Sequence, residues 1–167
     1  MKQPTMILTP TPNVSRRNGK VKFIILHHTA GHYPGDLNWL TNPASHVSAD
    51  FYVRQDGTIH KLNPQLRTMK TWHSGASIYQ GIQDGLRTLN KYSVGIEMEH
   101  KEGDRWPEVQ VKAVGELCAW LEELFGLDLD TNPITSHAAV ALPKRRKNDP
   151  ERFPWGEFSR AVRAAGM

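Results

Sequence analysis

Three residues of metal-binding type stand far apart in this chain: His27, His137 and Asp149. Imidazole nitrogen and carboxylate oxygen are donors that zinc accepts, and a catalytic zinc uses three protein ligands while keeping one position open for water. His27 and His28 close the run "VKFIILHHTAG". His137 opens the stretch "SHAAVALPKRRKNDPERFPW", which also carries Lys147 and Asp149. The H-E-x-x-H helix signature of a zinc site is absent. Spacing alone therefore leaves two readings open, a metal site and ordinary hydrogen-bonded histidines. Adjacent strand residues point to opposite faces, so only one of His27 and His28 can reach a shared metal.

Other side chains could join such a site. Glu97, in "YSVGIEMEH", could serve as general base toward a metal-activated water, or lie on a solvated strand face in a salt bridge. Lys147 could stabilise an oxyanion, or belong with Lys144, Arg145 and Arg146 to a solvated cationic loop. Trp72 and His73, in "TWHSG", offer a flat apolar face and a polar contact for a sugar or peptide, or a core tryptophan before a turn. Cys118 falls on the apolar face of a helix and reads as core.

Elements able to gather these residues are visible in the pattern. Val21 to Gly31 reads as a buried strand, short, rich in β-branched residues and stopped by glycine. Its histidines stand where strand meets loop. Asp36 to Leu40 is expected as a short helix. "ADFYVRQDGTIHKL" predicts a hairpin, because Asp56-Gly57 between β-formers supplies the positive φ of a tight turn. Tyr92 to His100 predicts a strand with Val94, Ile96 and Met98 on an apolar face and Gly95, Glu97 and Glu99 on the other. Pro107 to Phe125 predicts a helix, with Val111, Val114, Leu117, Cys118, Leu121 and Leu124 at three- and four-residue steps and Gly126 as its stop. Ile134 to His137 is expected as a short strand and Trp155 to Ala165 as a closing helix. Strands interleaved with helices predict an α/β fold with a mixed sheet.

Residues 1–20 read as an N-terminal arm or edge segment, and residues 21–167 as one domain. A chain of 167 residues is of single-domain size and long enough to bury a core without disulfides. One cysteine permits no intrachain disulfide and fits a reducing compartment. No apolar run approaches the roughly 20 residues of a membrane span, and "MIL" near the start is too short for a signal-peptide core. Stable membrane insertion is not expected. A net charge of +4 and a pI near 9.3 favour anionic partners without choosing among them. Nucleic acid is disfavoured, because the aromatics follow the basic knot rather than interleave with it.

Taken in order, "FIILHHTAG", "HVSADFYVRQDGTIHKL", "TWHSGAS", "YSVGIEMEH", "SHAAV" and "RKNDPERFPW" resemble the zinc-dependent N-acetylmuramoyl-L-alanine amidases. That family takes in phage lysozyme-type amidases, the muropeptide-recycling amidase and the peptidoglycan-recognition proteins. The resemblance implies a single α/β domain with a central mixed β-sheet flanked by helices and Zn2+ in a cleft on one sheet face. It implies His27, His137 and Asp149 as zinc ligands, Glu97 as base, Lys147 beside the metal, and Trp72 and His73 in the substrate cleft. It implies cleavage of the amide between N-acetylmuramic acid and L-alanine by a zinc-activated water.

The expected partner is bacterial peptidoglycan, with anionic cell-wall polymers as a further surface, and the expected state is a monomer. The biological reading is a phage endolysin held in the host cytoplasm until a separate pore releases it. The alternatives are a cytosolic recycling amidase and a non-catalytic peptidoglycan-binding module. Two departures from the family pattern stand out. Ala49 replaces a tyrosine that some phage members use in catalysis, and the glycine after Pro150 is replaced by Glu151. The role of Asp50 stays open.

Overall fold

The computed structural model of the chain describes residues 1–75, 77, 79, 89–128, 131–142 and 147–167. Lys144, Arg145 and Arg146, expected in a cationic loop, lie outside these described residues. Eight strands and five α-helices are described. They are β1 (Ile7–Leu8), β2 (Val14–Arg16), β3 (Phe23–His28), α1 (Gly35–Leu40), β4 (Phe51–Val53), β5 (Ile59–Lys61) and β6 (Met69–Thr71), followed by α2 (Leu89–Tyr92), β7 (Ser93–Met98), α3 (Glu108–Phe125), β8 (Ile134–Ser136), α4 (His137–Val140) and α5 (Trp155–Gly166).

Six strands form one sheet in the order β1-β5-β4-β7-β3-β8, and β2 pairs with β6 in a small second sheet. The large sheet is mixed. β4 and β5 form the antiparallel hairpin, whereas β7 runs parallel to both β4 and β3, and β3 parallel to β8. The chain is thus a single-domain α/β fold with a mixed central sheet flanked by helices.

The two sheet faces have different chemistry because β3 and β7 alternate in step. Ile24 pairs with Val94 and Leu26 with Ile96. These side chains join Phe51, Val53 and Met98 in a core closed by Val114, Leu117, Cys118 and Leu121 of α3 and Phe158 of α5. This accounts for the three- and four-residue spacing of α3. On the opposite face Ile25 pairs with Gly95, and His27 with Glu97. Tyr52 pairs with Glu97 from the other side. One face is therefore the floor of α3 and α5, and the other carries the polar side chains.

The N-terminal arm is woven into this frame. β1 lies parallel to β5, with Ile7 opposite His60. The Arg17 side chain is buried and donates to the backbone carbonyls of Leu66, Asn90, Lys91 and Ser93. Its second terminal nitrogen lies 4.0 Å from the carboxylate of Asp50. Asp50 is itself buried, accepting from Asn63 Nδ2 at 2.7 Å and the Gly95 N–H at 2.8 Å. Burial pushes its pKa up, against the pull of the Arg17 charge. Asp50 thus ties β4 to β7 and to the arm.

Candidate active site

Strand alternation settles which histidine of the pair enters the cleft. His27 is buried on the polar face. His28 turns away, and its Nδ1 accepts the Glu151 N–H at 3.0 Å, which anchors the Asp149 loop to β3. His137 does not end a strand. Ser136 accepts from the Ala139 N–H at 3.0 Å, an N-cap that satisfies a helix-end donor and makes His137 the first residue of α4. Asp149 is brought back to the same point because its backbone carbonyl accepts the Ala138 N–H at 3.0 Å.

These anchors converge three donor atoms. His27 Nδ1 lies 3.0 Å from His137 Nδ1 and 3.2 Å from Asp149 Oδ2, and His137 Nδ1 lies 3.0 Å from the same oxygen. All three residues are buried, and they make the one group among the described residues with metal-site geometry. A zinc ion bonded to nitrogen and oxygen at about 2.0–2.2 Å spaces tetrahedral ligands roughly 3.3 Å apart, so the triangle has the right size. Burial pushes the His27 imidazole down to about 4 despite the opposing pull of Asp149, which leaves the ring neutral, as ligation requires. Burial would raise the Asp149 carboxyl, but its hydrogen bonds and charge interactions with His137 and His27 outweigh that and hold it below the ordinary range. A carboxylate oxygen and two imidazole nitrogens in mutual contact could hold a cation.

Glu97 sits beside this triangle on β7. Its Oε2 is buried and has no hydrogen-bond partner among the described residues. Burial, reinforced by the charges of Asp149 and Asp36, pushes its pKa up to about 8, with Lys147 opposing. The cleft has a volume of about 420 Å³ and is walled by Trp72, His137 and Lys147, with Leu40 and Val47 on its apolar side. Lys147 is exposed, yet its charge reaches both His27 and Glu97. Trp72 is half-buried and donates from Nε1 to Ser15 Oγ of β2 at 3.0 Å. His73 is buried beneath the cleft, with Nδ1 3.0 Å from His27 Nε2 and Nε2 3.1 Å from Ser93 Oγ. Two larger grooves, of about 910 and 860 Å³, border α3 and α5 on the far side of the sheet from this chemistry.

Ser93 and Gly95 were not singled out as site residues from the sequence. A signal existed in "YSVGIE", since Ser93, Gly95 and Glu97 occupy alternate positions of one strand, but it named no partner for the first two.

This α/β fold gathers two imidazoles and a carboxylate, from a strand end, a helix start and a loop, into a group that could hold a metal ion. The sequence model of the N-acetylmuramoyl-L-alanine amidases matches residues 17–152, and the chain belongs to that family. It is 23% identical over 173 aligned positions to N-acetylmuramoyl-L-alanine amidase A of Achromobacter lyticus, covering 92% of this chain and 90% of that protein. Among solved structures, a selenomethionine AmpD derivative superposes with a TM-score of 0.75 at 24% identity over 94% of both chains. The endolysin N-acetylmuramoyl-L-alanine amidase LysCS of Clostridium intestinale superposes at 0.71 and 20% identity over 97% of both. At these identities the structural likeness is one of fold.

Proposed function

We propose that the chain hydrolyses the amide between the lactyl group of N-acetylmuramic acid and the L-alanine of the stem peptide, with zinc held by His27, His137 and Asp149. The observation that carries this reading is the triangle of three buried donor atoms at 3.0–3.2 Å beside a carboxyl raised toward neutrality, in a chain of the amidase family. When bound, zinc lowers the pKa of water and polarises a carbonyl.

Glu97 takes a proton from the attacking water and returns it to the alanine nitrogen as the C–N bond breaks. Its Oε2 is buried with no hydrogen-bond partner among the described residues, so it is free to hold that proton between the two transfers. The Lys147 ammonium faces the negative charge that develops on the carbonyl oxygen. Trp72 forms the apolar wall against which the substrate packs. Tyr52 takes no part as a base: its hydroxyl donates to Asp36 Oδ1 at 2.7 Å, and burial together with that bond pushes its pKa far up.

The physiological substrate in this proposal is the intact wall, reached by an endolysin from inside the host cell. The net charge of +4 supports it, because a basic surface is attracted to an anionic wall. The test compares rates on purified sacculi and on soluble muropeptides of the same stem. Faster peptide release from sacculi supports the lysin. A preference for soluble muropeptides moves the chain to the recycling class, and binding to sacculi without release makes it a binding module.

A further inference from the structure

Thr11, Asn13, Ser15 and Arg17 stand at alternate positions of the N-terminal arm. Thr11, Asn13 and Arg17 are buried, while Pro12 and Arg16 between them are exposed. This is the alternation of an extended chain with one face turned inward, but that face carries hydrogen-bonding groups rather than apolar surface. A buried polar side chain is costly unless it is partnered, so its partners reveal its task. Arg17 holds the Ser93 carbonyl of β7 at 2.8 Å. The other three reach the cleft.

Thr11 Oγ1 donates to the Leu40 carbonyl at 2.9 Å and accepts the Asn13 N–H at 3.2 Å. Asn13 Nδ2 donates to the carbonyls of Val47 and Asn42, both at 2.8 Å, with Ser45 Oγ at 3.0 Å beside them. Ser15 Oγ accepts from Trp72 Nε1 at 3.0 Å, and an indole only donates, so the direction is fixed. Leu40, Val47 and Trp72 all line the cleft. They come from three separate places: the end of α1, the loop before β4, and the residue after β6. Val47 is 41% exposed and Trp72 only half-buried, so apolar packing alone fixes neither. The antiparallel pairing of β2 with β6, Val14 opposite Thr71, sets Ser15 beside the chain leading to Trp72. The Ser48 N–H then donates to the Trp72 carbonyl at 3.2 Å and joins the pieces into one wall.

We infer that the N-terminal arm is a strap that sets the substrate-facing wall of the cleft, with Thr11, Asn13 and Ser15 as positioning residues acting through Leu40, Val47 and Trp72. Their hydrogen bonds go to the wall and not to the His27, His137 and Asp149 group. Their effect therefore falls on how tightly a muropeptide is held, not on metal binding or proton transfer. The inference rests on the reading of this cleft as the muropeptide site.

The test is steady-state kinetics of the zinc-loaded full chain on a soluble N-acetylmuramoyl peptide beginning with L-alanine, beside a proton–nitrogen NMR spectrum of the indole N–H groups. Ser15→Ala removes the acceptor for Trp72. It should raise KM by about 3–10-fold, the effect of losing one hydrogen bond, with kcat and zinc content unchanged, the pattern of lost uniform binding. The Trp72 indole signal, identified by its loss in Trp72→Phe, should move and exchange faster with solvent. Ser15→Thr, which keeps the oxygen, should restore both. Thr11→Val, of nearly the same shape, should likewise raise KM alone. An unchanged KM in both Ser15→Ala and Thr11→Val overturns the inference. So does a fall in kcat or zinc content that tracks lost thermal stability, the mark of a merely structural role. A wild-type chain that releases no peptide sinks the amidase reading instead. The strap is then read from tryptophan-fluorescence titration with the same muropeptide, where equal affinity of wild type and Ser15→Ala overturns it.

Discussion

Glu97 and Lys147 bring a carboxyl and an ammonium into one small cleft, and their settings differ. Glu97 is held by a sheet strand with one oxygen buried and unpartnered, while Lys147 is exposed on the loop leading to Asp149. In the metal-free protein Glu97 has its pKa raised from an ordinary 4.5 to about 8. Below pH 4.5 both the folded and unfolded chains hold this proton and nothing is lost. Between 4.5 and 8 only the folded chain holds it, so stability falls as pH rises through that window. Glu97→Gln should therefore leave the metal-free Tm unchanged near pH 4 and raise it near pH 9. A gain of about 1–3 kcal/mol, the penalty for an unpaired buried polar group, corresponds to a rise of roughly 2–12 °C at this chain length. A thermal melt at the two pH values checks the sign. In the zinc-loaded enzyme the same substitution should abolish turnover while the metal stays bound. Lys147→Met should lower kcat by about 10²–10³-fold, as for loss of one oxyanion-stabilising group, with bound zinc unchanged by elemental analysis.

The strands and helices that hold these residues differ in how plainly the sequence announced them. β7 and α3 were legible because each has an apolar face with a single period, which their burial on the common core requires, and β3 because it is a short continuous apolar run stopped by glycine, buried on both faces. The two-faced reading of β7 held for Val94, Ile96 and Met98, which meet the core under α3 and α5, and for Glu97, which lines the cleft; Glu99 lies past the strand end and accepts the Tyr33 and Gln55 N–H groups instead. β1, β2 and β6 were not legible. They are two or three residues long, and their pairing depends on the register of distant partners rather than on local pattern. The same holds for Arg17 and Asp50, whose burial arises from contacts made far along the chain. His27, His137 and Asp149 were recognisable as a set only through family resemblance, since Asp149 and Lys147 sit in irregular segments without periodicity. Arg17→Ala should cost about 3–5 kcal/mol by stranding the buried Asp50 carboxylate, and chemical denaturation would measure it. At the helix layer, Gly115 lets α3 approach α5: a Cβ there would stand 2.6 Å from the Ala161 Cβ. Gly115→Val should part these helices and lower stability by about 1–3 kcal/mol, read in the same denaturation series, with zinc binding kept because the ligands lie on the other sheet face.

At the scale of the molecule, the sheet separates stability from chemistry. One face is closed by α3 and α5, and the other presents the cleft of the candidate site. The charge of +4 belongs to the whole surface and acts at a distance that salt shortens, from about 14 Å at 0.05 M to a few ångströms at 0.5 M. Raising salt across that range should weaken pelleting of the protein with sacculi more than it slows hydrolysis of a soluble muropeptide, which a paired binding and rate assay would show. The described residues include no helix long and apolar enough to cross a membrane. The most direct test of the account is mass spectrometry of sacculi digested by the zinc-loaded protein, by a chelated sample and by the chelated sample after zinc is restored. The account predicts free stem peptides beginning at L-alanine, lost on chelation and regained with zinc. Glycan fragments in place of these peptides, or peptide release indifferent to chelation, would contradict it.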